Sequence, residues 1–502
     1  MKEEKEKQEV IDEKDEKGSN LDKLMNEMSG IGEKKKFKSV NIERIGDKII
    51  LPKGMSYAEG REWLSKQEQS EEQVVSFTSK IKAYPFDGAY ALYRAIESMF
   101  GFANVTGVRG PSGGTPPQMI DIKLPEGNSI RVPWGRMEFP GLDDGSYVET
   151  SYSTSSMEFV IKARIKKKYE NIMSNIADKT AELLRNESLY KGRAIKINLD
   201  FMDTDEFPTD PQFIDVSKIR DEDIVLTKTA QKDYSSVLLR IKRTRECITN
   251  NIPLKHGCLL AGPYGTGKTL TARWTAKIAC DHGWTFIYLE DCTQLKHALL
   301  LADMYAPAVV FAEDIDKAME GERSSSMNEI LNTLDGLDTK TKPIITILTT
   351  NHVEKINKAF LRAGRIDSLI HMGPLDEESA EIFIKRFTTD ANGNPIYVKK
   401  DNYKKASKAL SGIVPAFASE VINKAKMYAM YREGENAMVN AEDLETAALS
   451  LKNHIKLTEG VTQPSDEEIV GTQVYKIFEK MGITPDSISS MSKKIETIEH
   501  SI

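Results

Sequence analysis

GPYGTGKT, Gly262 to Thr269, fills every fixed position of the pattern G-x-x-x-x-G-K-[ST]. Its flanks are of the matching kind: GCLLA ahead of it reads as a buried strand, and LTARWTAKIAC behind it as a helix. In that setting glycines let backbone N–H groups close around phosphate oxygens, and the helix N-terminus adds its partial positive charge. Gly262, Pro263, Tyr264, Gly265, Thr266 and Gly267 make the loop, and Lys268, Thr269 and Leu270 open the helix. Lys268 is placed to reach the β- and γ-phosphates of a nucleoside triphosphate, and Thr269 to offer a hydroxyl to Mg²⁺.

Chemistry at such a loop needs acids from a second strand, and VVFAEDID, Val309 to Asp316, supplies them. A short apolar run ends on Glu313, Asp314 and Asp316. Further on, IITILTTNH puts the polar Asn351 at the end of another buried strand, and FLRAGRID carries Arg362 and Arg365, three apart. Taken alone, Asn351 would be a strand-end cap and the two arginines a solvated, salt-bridged turn. Their order after the glycine loop makes them candidates for a site. Asp316 reads as an N-cap or ion-pair partner rather than a ligand.

Around this core the chain changes texture several times. Residues 1 to 45 are dominated by Lys and Glu and read as a solvated, disordered tail. Residues 46 to 202 mix strands and helices and read as an α+β domain without a chemical motif. In it, KIILPKG is a strand and turn, and IDIKLPEGNSIRVPW is a hairpin turning at Glu126-Gly127-Asn128. Tyr84 to Phe102 has the spacing of a core-facing helix, Arg164 to Leu184 reads as helical, and Gly192 to Phe201 returns as a strand. Residues 203 to 219, opening with the acidic, proline-bearing DTDEFPTDPQF, read as a linker. From 220 to 375 buried strands alternate with helical stretches, the α/β signature of a parallel sheet with helices on both faces. Residues 376 to 457 read as helical only, and 458 to 502 as a polar extension.

Over roughly residues 220 to 457 the chain resembles the AAA family of ring-forming ATPases. The resemblance implies ATP and Mg²⁺ as cofactors, with Thr269 and Glu313 on the metal side. It matches Asn351 to the sensor that orients the attacking water. Arg362 and Arg365 match the arginine fingers that reach a neighbouring subunit's γ-phosphate. NEILNTLDGLD, Asn328 to Asp338, resembles the helix between the second and third motifs, and the helical stretch from 376 looks like the family's small lid domain. A homo-oligomeric ring, hexamer or heptamer, acting on a protein client is what the resemblance implies for partners.

Two departures narrow the resemblance. Most members carry an aromatic-apolar-Gly pore loop after the second strand. Here only the eleven residues KHALLLADMYA separate Leu295 from Pro307, about 16 Å as a helix, with no such triplet. The acids also stand in the order Glu-Asp instead of Asp-Glu. Together with TTNHVEKINKAFLRAGRID, these features look like the branch that contains the mitochondrial chaperone delivering the Rieske protein to the cytochrome bc complex. In that branch the Glu-Asp order accompanies working hydrolysis, and the ring moves a folded client without threading it. Glu313 can meet Mg²⁺ through a water, leaving Asp314 to polarise the attacking water with a shorter side chain. Because phosphoryl transfer rests on positioning and charge, a shorter base serves if the strand end sits closer. The branch's membrane anchor has no counterpart here.

Bulk composition limits the alternatives. Charged residues make up 29% and the net charge is -7, so no basic field recommends nucleic acid. A nucleic-acid motor or loader remains the competing reading, with ARIKKKY (Ala163 to Tyr169) its conspicuous basic cluster, read as a solvated helix face. The four cysteines show no paired framework, which favours a reducing compartment. No apolar run reaches the roughly 20 residues of a membrane span. A soluble protein is the expectation, cytoplasmic by default. None of the seven histidines is followed by Glu, so the H-E-x-x-H of a zinc protease is missing.

Overall fold

The computed structural model describes residues 9–12, 43–45, 48–51, 54–101, 109–110, 113–114, 118–138, 142–143, 145–202, 207–319, 342–356, 360, 362, 364–390, 392–434 and 437–459. The helix expected at Asn328 to Asp338, most of the charged tail and the extension past 459 lie outside the described residues. The chain divides into two compact units, Met1–Lys191 with Ile197–Phe213, and Gly192–Lys196 with Ile214–Ile502.

In the first unit, β1 (Glu9–Asp12), β2 (Glu43–Ile45) and β3 (Lys48–Leu51) form an antiparallel sheet in the order β1-β3-β2. EVID lies inside the stretch read as a structureless tail. Its Val10 and Ile11 are β-branched, and they align with Ile50 and Ile49. After α1 (Tyr57–Glu71) come β4 (Val74–Lys82) and α2 (Pro85–Phe100), which buries Phe86, Ala89, Leu92, Ala95 and Ile96 as its spacing requires. β5 (Gln118–Lys123) and β6 (Ser129–Trp134) make the expected hairpin. β7 (Arg136–Met137), β8 (Tyr147–Ser153) and β9 (Glu158–Lys166) complete an antiparallel sheet in the order β4-β9-β8-β7.

The helix read from Arg164 starts later. β9 runs to Lys166, because Phe159, Ile161, Ala163 and Ile165 are buried at a period of two. The helix proper, α3, is Glu170–Asn186. The basic cluster is therefore a strand end and a short turn, not a solvated helix face. Lys166 pairs with Glu72 and, at 2.6 Å, with Asp143, and Lys168 reaches the same two carboxylates at 2.8 Å.

The second unit is built on β10 (Ala194–Ile197), β11 (His256–Ala261), β12 (Thr285–Leu289), β13 (Ala308–Ala312), β14 (Ile344–Thr350) and β15 (Ser368–His371). Their order is β10-β12-β13-β14-β11-β15, parallel from β12 to β15. Cys258, Leu260, Phe286, Val309, Phe311, Ile345 and Ile347 share one core with the apolar faces of α4 (Lys228–Lys242) and α5 (Lys268–Asp281). The alternate residues Leu259, Ile287, Val310 and Leu348 are equally buried, and α6 (Leu295–Met304) packs on β12 and β13. Both faces are thus covered, which is why these strands are mostly apolar, without a polar face. α6 leads through a two-residue connection and Pro307 straight into β13. A separate helical core follows from α7 (Glu377–Phe387), α8 (Lys404–Leu410), α9 (Pro415–Glu433) and α10 (Ala441–Glu459).

The domain boundary expected near 203 moves. β10 extends the sheet of the second unit, with Phe286 N donating to Arg193 O and Ile214 N to Ala194 O, both at 2.9 Å. The exposed edge of a buried parallel sheet needs a partner, and the apolar Ala194 and Ile195 supply it. Within the expected linker, residues 207 to 213 belong to the first unit, where Tyr84 donates its hydroxyl to Thr209 O at 2.6 Å.

β11 is pressed from one side by the segment that carries the arginines. A Cβ on Gly257 would lie 1.8 Å from Arg365 O, so only glycine allows this approach. Beside it, His256 is 6% exposed and shares a 2.9 Å hydrogen bond with Ser368. Burial, helped by the charge of Arg240 and opposed by Asp367, pulls its pKa from 6.5 down to about 4. The unfolded chain takes up that proton first, so stability is full above pH 6.5 and is lost as pH falls toward 4, by up to about 3 kcal/mol. Urea unfolding from pH 7.5 to 4.5 should show this loss, and His256→Gln should flatten that part of the profile.

Candidate functional site

The loop from Gly262 to Gly267 leaves β11 at its C-terminal end and enters α5. Gly265 and Gly267 have φ of 79° and 92°, a left-handed backbone that favours glycine. Gly267 is the N-cap of α5 and no side chain caps it. The first-turn N–H groups are therefore open to an anion. Lys268 folds back over the loop, and its Nζ donates to Gly262 O at 2.6 Å, Pro263 O at 2.9 Å and Asn351 Oδ1 at 2.8 Å. Burial lowers its pKa, against the opposing pull of Asp314, Glu313 and Asp316.

The two acids at the end of β13 diverge. Glu313 accepts from the hydroxyl of Thr269 through one oxygen and from Tyr288 at 2.8 Å through the other. Burial and the bond to Glu313 raise the Tyr288 pKa, so it stays a donor. Asp314 has φ of +49°, which turns its side chain to another side of the strand end. There Asn351 Nδ2 donates to Oδ1 at 2.7 Å, and Lys317 pairs with Oδ2 at 2.8 Å. A left-handed aspartate costs about 1 kcal/mol. It is held by Asp314 N donating to Thr349 Oγ1 at 3.1 Å and Lys317 N to Asp314 O at 2.9 Å. Asp316, 4% exposed, accepts from the Thr350 hydroxyl at 2.7 Å, and no cap or ion pair is seen for it among the described residues.

A cavity of about 510 Å³ opens over these groups. Tyr264 to Leu270, Glu313, Asp314 and Asn351 line it. Gly262 and Pro263 act from behind through their carbonyls. Arg362 is exposed, and neither it nor Arg365 reaches the cavity. The other end was invisible in the sequence. Asp223 to Leu226 form a strap there and Phe383 and Phe387 line it too, while Pro415, Ala416 and Ser419 complete the lining, with Ala416 beside the glycine loop. Arg386 fastens the strap by donating to Ile224 O at 2.9 Å and Glu222 O at 3.2 Å. Trp274 holds Asp221 at 2.9 Å. Its lining combines the polar loop, acid and amide groups with apolar side chains such as Phe383 and Phe387, a mix that suits a small polar ligand with a flat ring.

A glycine loop between a buried strand and a helix, facing acids and an amide from neighbouring parallel strands, defines a P-loop nucleotide fold. More narrowly, residues 258–374 match the ATPase family associated with various cellular activities (AAA). The chain is 28% identical over 248 residues to the ATP-dependent zinc metalloprotease FtsH 1 of Petrotoga mobilis, covering 46% of this chain and 37% of that protein. It is 31% identical over 242 residues to the 26S proteasome regulatory subunit 8 of Caenorhabditis elegans, covering 41% and 55%. Subunit 6A of Schizosaccharomyces pombe is 27% identical over 239 residues, covering 41% and 52%. The chain thus spans between about a third and just over half the length of these relatives. Among the described residues no helix is long and apolar enough to cross a membrane.

The strap gives a direct test. Arg386→Ala removes the charged donor that fixes two carbonyls, a loss of about 1.5 kcal/mol. ADP affinity measured by calorimetry should fall roughly tenfold, with the enthalpy of unfolding little changed.

Proposed function

We propose that this protein hydrolyses ATP with its acids in the Glu-Asp order, as a homo-oligomeric ring that remodels a protein client without threading it. The observation that carries the reading is the chain of contacts from Lys268 through Asn351 to Asp314, beside the Thr269–Glu313 pair. In this reading Lys268 neutralises the β- and γ-phosphates. Asp314 and Asn351 hold the attacking water, and the Asp314 carboxylate receives its proton. The bond from the γ-phosphorus to the β–γ bridging oxygen breaks as the water oxygen bonds to phosphorus, giving ADP and phosphate.

The donor set fits Mg²⁺. Thr269 and Glu313 offer oxygen only, and among the described residues no group of three or more His, Cys, Asp or Glu forms a cage for a softer metal. Thr269 directly, and Glu313 through water, would hold the ion, which supplies charge neutralisation at the phosphate oxygens.

Arg362 and Arg365 lie away from their own cavity, which supports a role on a neighbour's nucleotide. The short run from α6 into β13 supports a ring without a threading loop, as in the branch that moves folded clients. The FtsH and proteasome relatives support a protein client in general terms. The nucleic-acid reading loses its motive, since Lys166 and Lys168 are paired with carboxylates of their own unit.

Steady-state ATP hydrolysis across protein concentration tests this. Turnover per subunit should rise with assembly, and Asp314→Asn should lower it at least 100-fold. Arg362→Ala or Arg365→Ala should cost about 1000-fold or more while leaving ATP binding intact. Full turnover by a proven monomer would remove the trans-acting role. ATP binding without turnover in the wild type would make the ring a nucleotide-gated scaffold.

A further inference from the structure

Tyr288 stands outside every motif of the sequence and outside the cavity lining, yet its hydroxyl is 2.8 Å from Glu313. It sits on β12, the strand next to the acid-bearing β13, where its partner in register is Phe311. TFIYL is otherwise a buried apolar strand apart from its first residue, so a tyrosine hydroxyl near its end must be directed at something. The ring packs on Phe311 with centroids 5.3 Å apart, and Lys196 lies 5.9 Å from its centre. These contacts restrict the ring, and through it the hydroxyl.

The Glu-Asp order creates the need for such a group. A glutamate at the metal side has one more rotatable bond than an aspartate, and that freedom has to be removed if the carboxylate is to present one oxygen in a fixed place. The Thr269 hydroxyl donates to one oxygen only, and one contact leaves the carboxylate free to turn about it. Tyr288 holds the second oxygen from the opposite side, off the path of any nucleotide.

We infer that Tyr288 is a positioning residue for the divalent cation, orienting Glu313 from the neighbouring strand so that glutamate can occupy the place where aspartate is usual. The inference rests on the proposed ATP–Mg²⁺ reading of the site. It assigns a role to a residue that does not touch nucleotide, and groups of this kind typically change metal affinity or activity by about 10- to 100-fold when removed.

The full chain, as wild type, Tyr288→Phe, Glu313→Gln and the double variant, allows a four-cornered comparison. Mn²⁺ is titrated against protein saturated with a non-hydrolysable ATP analogue, with free Mn²⁺ followed by electron paramagnetic resonance. ADP binding in excess chelator is measured beside it. Tyr288→Phe should weaken Mn²⁺ binding about tenfold or more and leave metal-free ADP binding unchanged. In the Glu313→Gln background the same substitution should have little further effect. Unchanged Mn²⁺ affinity in Tyr288→Phe would overturn the inference, as would an equal loss in both backgrounds, which would mark a packing role. Reduced metal-free ADP binding would do the same. A wild type that binds no Mn²⁺ with the analogue would sink the reading of the site itself, and the inference with it.

Discussion

The ammonium of Lys268 is the fixed point around which this domain is arranged. Only 8% of the residue is exposed, and a half-desolvated cation is costly unless acceptors surround it. Two loop carbonyls and the Asn351 amide oxygen supply them, and the acids beyond lend their field. That requirement explains the strand order. β13, β14 and β11 are adjacent and parallel, so their C-terminal ends deliver the acids, Asn351 and the glycine loop to one edge of the sheet. Parallel α/β sheets bind ligands at that edge for this reason. Gly257 then lets the segment of Arg365 lie against β11, tying the arginines to the same frame.

The order of the two acids follows from backbone geometry more than from side-chain length. An extended strand would send Glu313 and Asp314 to opposite faces of the sheet. The left-handed turn at Asp314 brings the second carboxylate around to Asn351, and Thr349 from β14 holds the turned peptide. Glu313 continues toward Thr269. Two acids on consecutive residues thereby serve two separate tasks, and their identities can exchange provided each is restrained. Asp314 is restrained by Asn351, Lys317 and its turned backbone. Glu313 needs the additional hydroxyl from β12 because it is long.

The sequence made the motif-bearing parts of this molecule legible, and the reason is physical. Backbone conformations that demand glycine, buried parallel strands that demand mostly apolar residues, and a helix that must start at Lys268 leave marks no neighbour can erase. The hairpin at Glu126 to Asn128 and the core-facing helix at Tyr84 were legible for the same reason. Arg164 to Lys166 was misread because charged residues facing outward on a strand share a helix's spacing when viewed over a short window. β10 was assigned to the wrong unit because four apolar residues say nothing about which sheet edge will accept them. The strap at Asp223 to Leu226, Arg386 and Tyr288 act through contacts between distant segments, and such contacts carry no local pattern. A tyrosine hydroxyl near the end of an apolar strand was the one available sign of the last.

The cavity has its two ends on two differently built bodies of the second unit, and this shapes what an occupant can do. At the phosphate end, Ala416 N donates to Gly265 O at 3.0 Å, and a Cβ on Gly265 would sit 2.9 Å from the Ala416 methyl. The start of α9 is thus seated directly on the glycine loop. At the other end, Arg386 of α7 holds the strap that follows the first strands of the unit. Helical lid and parallel sheet therefore meet an occupant at both ends, through one backbone contact and one charged clasp. Loss of a γ-phosphate would be felt first at Lys268 and Asn351, which belong to the sheet. It would pass to the lid through the Gly265–Ala416 contact, whose closeness leaves no slack. One backbone hydrogen bond and a close van der Waals approach thus join the lid to the glycine loop.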